Sequence, residues 1–231
     1  MSGRTIIVGD VHGCSVELEA LLARVSFGTG DKLVFVGDLV ARGPDSIGVL
    51  DVARRTGAII VRGNHEQKLL DWHVGDGRSS LAETHLAVAR DMRPIDWTLL
   101  ETSPFFVDLP EHGARVVHAG VVPGTPIEKQ KPDHLIHLRL VDTKADGRVL
   151  WGSVYEGPPH VVFGHNAVEG LQLHPNATGL DTGCVYGRAL TALVLGDGEP
   201  IPLDVAERRK RLVSQPAAHV YYDPAARRAI P

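Results

Sequence analysis

Three short apolar runs near the start of the chain each stop at, or one residue before, a glycine followed by polar side chains. They are Thr5-Ile6-Ile7-Val8 before Gly9-Asp10, Leu33-Val34-Phe35-Val36 before Gly37-Asp38, and Ala58-Ile59-Ile60-Val61 before Gly63-Asn64-His65-Glu66. Runs of this length, rich in β-branched residues, read as buried strands. Between the first two, Leu18, Leu21, Leu22 and Val25 fall at helical spacing, with Ser15 as a candidate cap. Ser46 to Arg55 forms a second amphipathic pattern. A β-α-β-α-β order with short loops leaves few folds open: it implies a parallel sheet with right-handed crossovers.

The texture then changes. A helical stretch is predicted from about Ser79 to Leu100, broken at Pro94. Phe105–Leu109, Ala114–Ala119, Val161–Gly164 and Leu190–Leu195 read as strands joined by Gly- and Pro-containing turns, which suits a second, more antiparallel sheet. Residues 121–157 are polar and hold Pro123, Pro126 and Pro132; a lid-like excursion is expected there. A flexible or exchangeable tail is expected from about Pro216. With 231 residues, 43% of them hydrophobic, the whole chain, 1–231, fits one domain with a full core.

The formal charge of −4 argues against a broad non-specific nucleic-acid surface but allows a local basic pocket. Cys14 and Cys184 are far apart in sequence and make no CxxC pair, so they read as reduced, buried thiols. No apolar stretch approaches the ~20 residues of a membrane span. No signal-peptide pattern is visible, and a cytoplasmic setting is expected.

The chemistry sits at the strand ends. Gly9-Asp10-Val11-His12-Gly13, Gly37-Asp38 and Gly63-Asn64-His65-Glu66 are followed by His118-Ala119-Gly120 and Gly164-His165, also at strand ends. In a parallel α/β sheet the carboxyl ends of neighbouring strands face one rim, where ligands bind. Carboxylate, imidazole and amide oxygen match Mn²⁺, Fe²⁺ or Zn²⁺ better than a soft thiolate set would. Two such ions about 3.5–4 Å apart clamp a phosphate and hold a bridging hydroxide for in-line attack. A single Gly-Asp is usually only a turn, and a single buried His usually only core. Five metal-competent strand ends in one short chain are what make the functional reading outweigh the structural one.

These motifs, in this order and across about residues 5 to 195, resemble the PPP-type phosphatases of the calcineurin-like metallophosphoesterases. The resemblance implies two mixed β-sheets in an α/β sandwich flanked by helices. It implies Asp10, His12 and His165 on one metal, Asn64 and His118 on the other, and Asp38 bridging. The implied cofactor is a pair of divalent ions, Mn²⁺ first, with Fe, Zn, Co or Ni as alternatives. His65 becomes the general acid and Arg42 a phosphate grip. A second phosphate-binding arginine is expected between the last two motifs: Arg139, with Arg148 as the alternative.

Within that family, the protein-phosphatase branch carries Asp where this chain has Ala41, to orient the acid His. The segments Gly37 to Pro44 and Leu180-Asp181-Thr182-Gly183-Cys184 are instead similar to the bacterial symmetrical diadenosine tetraphosphatases. That resemblance implies a metal-bound hydroxide splitting diadenosine tetraphosphate into two ADP. A phosphoanhydride has a good leaving group and tolerates a less well supported acid. Glu66 and a short stretch between His118 and His165 depart from the tetraphosphatases, which keeps a phosphoprotein phosphatase or broad phosphomonoesterase as the alternative. Tetraphosphate-capped RNA ends would present the same chemistry. Tyr186 is a candidate substrate contact, on a base or on phosphate. Asp181 reads as a loop-fixing residue or a support for a ligand His. His134, His137, His160 and His174 read as surface or supporting residues, and Trp72, Trp97 and Trp151 as packing. All the proposed ligands and the acid are present, which disfavours a decayed, non-enzymatic scaffold.

Overall fold

A computed structural model describes residues 3–75, 80–225 and 228–229. The first half runs β1 (Thr5–Val8), α1 (Ser15–Arg24), β2 (Lys32–Phe35), α2 (Ser46–Thr56), β3 (Ile59–Ile60), α3 (Asn64–Val74), α4 (Glu83–Asp91) and α5 (Pro94–Glu101). The second half runs β4 (Phe106–Leu109), β5 (Ala114–Val117), α6 (Pro132–His137), β6 (Leu140–Thr143), β7 (Gly147–Leu150), β8 (His160–Phe163), β9 (Gln172–Leu173), β10 (Ala177–Gly179), β11 (Ala189–Leu195), α7 (Val205–Arg209) and β12 (Leu212–Pro216). Two short strands, β13 (Tyr222–Asp223) and β14 (Arg228–Ala229), close the chain.

Two five-stranded sheets form, in the orders β12-β11-β1-β2-β3 and β4-β5-β8-β10-β9. In the first, β1, β2 and β3 pair in parallel and β11 joins β1 antiparallel. The second is less antiparallel than its turns suggest: β5, β8 and β10 form a parallel centre, with β4 and β9 antiparallel at the edges.

Strand alternation explains the layers. Ile7 and Val34 face the second sheet and meet Val116, Val162 and Leu193 in a dry core between the sheets. Ile6, Val8, Leu33 and Phe35 point the other way, onto Leu18, Leu21, Val49 and Leu50 of α1 and α2. Residues i and i+2 of a strand share a face, so each strand serves two cores. Residues 121–157 pack Leu135 and Trp151 on the outer face of the second sheet, against Val161 and Phe163. The Trp151 indole donates to Ala119 O at 3.0 Å, anchoring that layer beside the His118 turn.

Some boundaries differ from the sequence pattern. Ser15 begins α1 rather than capping it, and its hydroxyl donates to Asp45, the N-cap of α2, at 2.7 Å. The helical stretch to Leu100 is broken where expected, α5 beginning at Pro94 after α4, but α4 begins only at Glu83, and the expected start at Ser79 lies outside the described residues. In the tail, expected to be flexible or exchangeable, Ala217, Ala218 and Tyr221 bond back to the fold. Ala217 N and Tyr221 N donate to Arg188 O and Val185 O, and Glu17 accepts from Ala218 N and the Tyr221 hydroxyl. Periodicity does not reveal such bonds, because they join distant residues, those to Glu17 spanning 201 and 204 positions in sequence.

Candidate metal centre

The loops after β1, β2 and β3 lie side by side, and those after β5 and β8 reach the same rim from the second sheet. Backbone bonds lock them: His12 N donates to Asp38 O at 2.9 Å, and Gly164 N to His118 O at 2.7 Å. Asp10, His12, Asp38, Asn64, Arg42, Arg139 and His165 line one cavity of about 240 Å³. His118 lies beneath it, fully buried.

Asp38 is central. Its Oδ2 stands 3.6 Å from His12 Nε2 and 3.9 Å from His65 Nε2, while Oδ1 stands 3.4 Å from His118 Nε2. One carboxylate thus faces two groups of donors. On one side, His118 Nε2, Asn64 Oδ1 and His165 Nδ1 lie within 2.9–3.2 Å of each other. On the other side are His12 and the rim beneath Arg42. His165 therefore groups with Asn64 and His118, not with Asp10 and His12 as the motif order implies. The reason is its left-handed turn, φ 66°, which aims the backbone N–H at both Asp10 oxygens (3.1 and 3.0 Å) and the ring at Asn64.

Burial and hydrogen bonding set the charge state of these groups. His118 Nδ1 lies 3.0 Å from Val36 O and His12 Nδ1 lies 3.3 Å from Val40 O, so these nitrogens carry the ring N–H. Burial holds the His118 imidazole down at about 4 and His12 well below its ordinary value, so neither is an imidazolium at neutral pH. The His118 Nε2 lone pair then faces the Asn64 and Asp38 oxygens with too few protons between them, while that of His12 accepts from Arg42 and stands 3.6 Å from Asp38 Oδ2. Burial also pushes Asp38 and Asp181 up to about 6, and burial together with the Asp181 charge raises Asp10 well above its ordinary value. Converging lone pairs and buried carboxylates are the electrostatics of a cation site. The donor set fits two divalent ions sharing Asp38.

Around this core the structure sorts the remaining candidates. His65 is buried, its ring 4.6 Å from that of His12, and its Nδ1 has no hydrogen-bond partner among the described residues. Arg42 donates to His12 Nε2 at 2.9 Å and lies over the adjoining Tyr186 and Tyr222 rings, 5.8 and 5.5 Å from their centroids. Tyr186 lines the cavity and also packs on Arg42, a cation–π contact that steadies the guanidinium. Arg139 donates to His165 O at 3.0 Å and lines the cavity, whereas Arg148 lines only a surface hollow on the far side of Arg139. Asp181 accepts from Gly183 N at 3.1 Å and so fixes its own turn. His137 is exposed near His165 and pairs with Asp133; His160 and His174 bond Thr178 and Gln172. Trp97 stacks on His73, and Trp151 is core. Cys14 and Cys184, distant in sequence, meet in the fold as buried free thiols beside Glu17.

Sequence reasoning missed three things. Glu66, wholly buried, accepts from the N–H groups of Asp38, Leu39, Val40 and Gly63 at 2.8–3.3 Å, clamping two ligand loops together. Its place at the third position of α3, after Gly63, is a capping pattern that was open to recognition. His12, Asp38, Ala41, Arg42 and His165 all hold φ between 48° and 72°, and the only other non-glycine residue in that region among those described is Ser26. Such strain clusters at functional sites and leaves no local sequence signal. His85 stacks on His65 with centroids 4.6 Å apart, reached from another helix.

The calcineurin-like phosphoesterase family model matches residues 3–197, and the chain belongs to that family. Among curated proteins it is 32% identical over 216 residues to a bis(5'-nucleosyl)-tetraphosphatase PrpE, asymmetrical, of Geobacillus thermodenitrificans, covering 81% of this chain and 88% of that one. It is 30% identical to a symmetrical bis(5'-nucleosyl)-tetraphosphatase of Janthinobacterium, covering 89% of this chain and 98% of the relative. A crystal structure provisionally named a diadenosine tetraphosphatase superposes with a TM-score of 0.79 at 38% identity, covering 94% of this chain and 95% of that one. The chain is a metallophosphoesterase, a hydrolase, with the two mixed sheets and flanking helices of that fold. The family implies divalent metal ions. No helix among the described residues is long and apolar enough to cross a membrane.

Proposed function

We propose that this enzyme hydrolyses dinucleoside tetraphosphates and cuts diadenosine tetraphosphate at its centre, giving two ADP. The observation that carries the reading is the convergence, in one cavity, of a donor set for two cations with Arg42 and Arg139 at its edge. Asn64, His118, His165 and Asp38 would hold one ion, and Asp10, His12 and Asp38 the other. The bound ions would polarise the phosphoryl oxygens and lower the pKa of water. Mn²⁺ suits this carboxylate, imidazole and amide set. Two free thiols and a nucleotide substrate suit a cytoplasmic setting.

The protein's own groups then divide the work. Arg42, held by two tyrosines, and Arg139 grip the non-bridging oxygens of the phosphate under attack. His65 gives a proton to the departing oxygen. Burial, with His12 and Arg42 nearby, holds this imidazole well below its ordinary pKa, and its Nδ1 meets no carboxylate or other hydrogen-bond partner among the described residues. An imidazole so held carries the proton only rarely at neutral pH, which suffices for a nucleoside diphosphate leaving group and serves an alkoxide poorly. This favours an anhydride over a phosphoserine peptide. Tetraphosphate-capped RNA ends offer the same anhydride.

The relative from Geobacillus thermodenitrificans is named for the asymmetrical cut, which makes AMP and ATP the second reading. Chromatography of the products from Mn²⁺-loaded protein and diadenosine tetraphosphate separates the cases. ADP alone supports the central cut, and AMP with ATP moves the scissile bond outward. No nucleotide release, with hydrolysis of p-nitrophenyl phosphate or a phosphopeptide, would overturn the dinucleotide reading.

A further inference from the structure

The cavity does not end at the metal centre. One arm runs on from Arg42 and Tyr186 to Arg188, Val168 and Pro224. Three separate segments build it: the turn after β8, the turn before β11 and the C-terminal tail. Arg188 is exposed at its tip but fixed at its root. Its N donates to Gly183 O, its O accepts from Ala217 N at 2.9 Å, and its guanidinium donates to Ala167 O at 2.7 Å. Val168, next to the Ala167 carbonyl that Arg188 bonds, is an apolar side chain left 78% exposed.

Nothing in the hydrolytic chemistry uses these groups, since Arg42 and Arg139 already serve the phosphate under attack. A cation beyond them, flanked by apolar side chains, matches what lies beyond that phosphate in a nucleotide: another phosphate, then a sugar and base. The cavity, about 240 Å³, is smaller than the roughly 300–1,000 Å³ typical of enclosed ligands, so only part of a dinucleotide is covered.

Resting on the reading of the protein as a dinucleoside tetraphosphatase, we propose that this arm seats one nucleoside-phosphate half of the substrate. Arg188 grips the phosphate next to the nucleoside, and Val168 and Pro224 flank the nucleoside itself. The tail is thereby part of the substrate site: by bonding Arg188 O and Val185 O it holds Pro224 at the wall. The other half projects to solvent, which would leave room for an RNA body in its place.

The test compares wild type with Arg188→Ala and Val168→Asp, both at exposed positions, on diadenosine tetraphosphate and p-nitrophenyl phosphate. One charge-assisted phosphate contact corresponds to about tenfold or more in affinity. The expected result for both variants is a fall of about tenfold in the ratio of the two kcat/KM values, carried by KM for the dinucleotide. ADP, probing the arm alone, should weaken by a similar factor as a competitive inhibitor of p-nitrophenyl phosphate hydrolysis. Wild-type cleavage of the dinucleotide with an unchanged ratio in Arg188→Ala and Val168→Asp overturns this inference alone. Failure of wild type to cleave any dinucleotide overturns it together with the reading beneath it.

Discussion

Glu66 shows how much of the site depends on a residue that touches no substrate. Four N–H groups converge on its carboxylate, and an amide offers only one oxygen and adds two donors. Glu66→Gln should destabilise the protein by about 2 kcal/mol or more, because buried donors lose their acceptor. Denaturant unfolding reads this directly, and an unchanged midpoint would contradict the clamp. At the acid, His65→Ala should lower kcat by about 10²–10⁴-fold on a phosphomonoester with a poor leaving group, and less on diadenosine tetraphosphate. Ala41→Asp is a complementary change: position 41 sits at φ 66°, a region Asp tolerates. It should raise turnover of a phosphoserine peptide more than that of the dinucleotide. Equal effects on both substrates would remove leaving-group quality as the explanation for Ala41.

Among elements, the parallel strands were the most legible part of the sequence. Ile6 to Val8 and Leu33 to Phe35 are buried on both faces and read as continuous apolar runs. Their ends brought Asp10, Asp38 and Asn64 to one rim as expected. What was not legible was which donors group together. The partition of His165 follows from one φ angle, and the cavity arm from three segments that meet only in the fold. The order of the second sheet was hidden for a similar reason, since β5, β8 and β10 pair across long connections. One strand-end residue makes a testable pH device. Burial, with the Arg208 charge nearby, holds His160 down at about 3 in the folded protein, against about 6.5 when unfolded. The unfolded chain therefore binds the extra proton first, and stability falls as pH drops below about 6.5, until about 3. His160→Gln should show a shallower loss of melting temperature between pH 7 and pH 5 than wild type. An identical slope would show that this histidine is not depressed.

For the whole molecule, the metal centre ties the two sheets together, because its donors come from loops on both. Ions that bind the folded chain stabilise it by mass action. The metal-free protein should therefore melt lower and regain its melting temperature as Mn²⁺ is added, with a concentration dependence that Asp38→Ala abolishes. A melting temperature indifferent to metal would place the ions, if any, outside the fold's structural seam. The most direct measurement is the metal content of dialysed, Mn²⁺-loaded protein, compared with His118→Ala and His12→Ala. Two ions per wild-type chain and one in each folded variant, with phosphate-ester hydrolysis lost in both, is the predicted result. One ion or none in a folded, hydrolytically active wild type would contradict the two-metal centre.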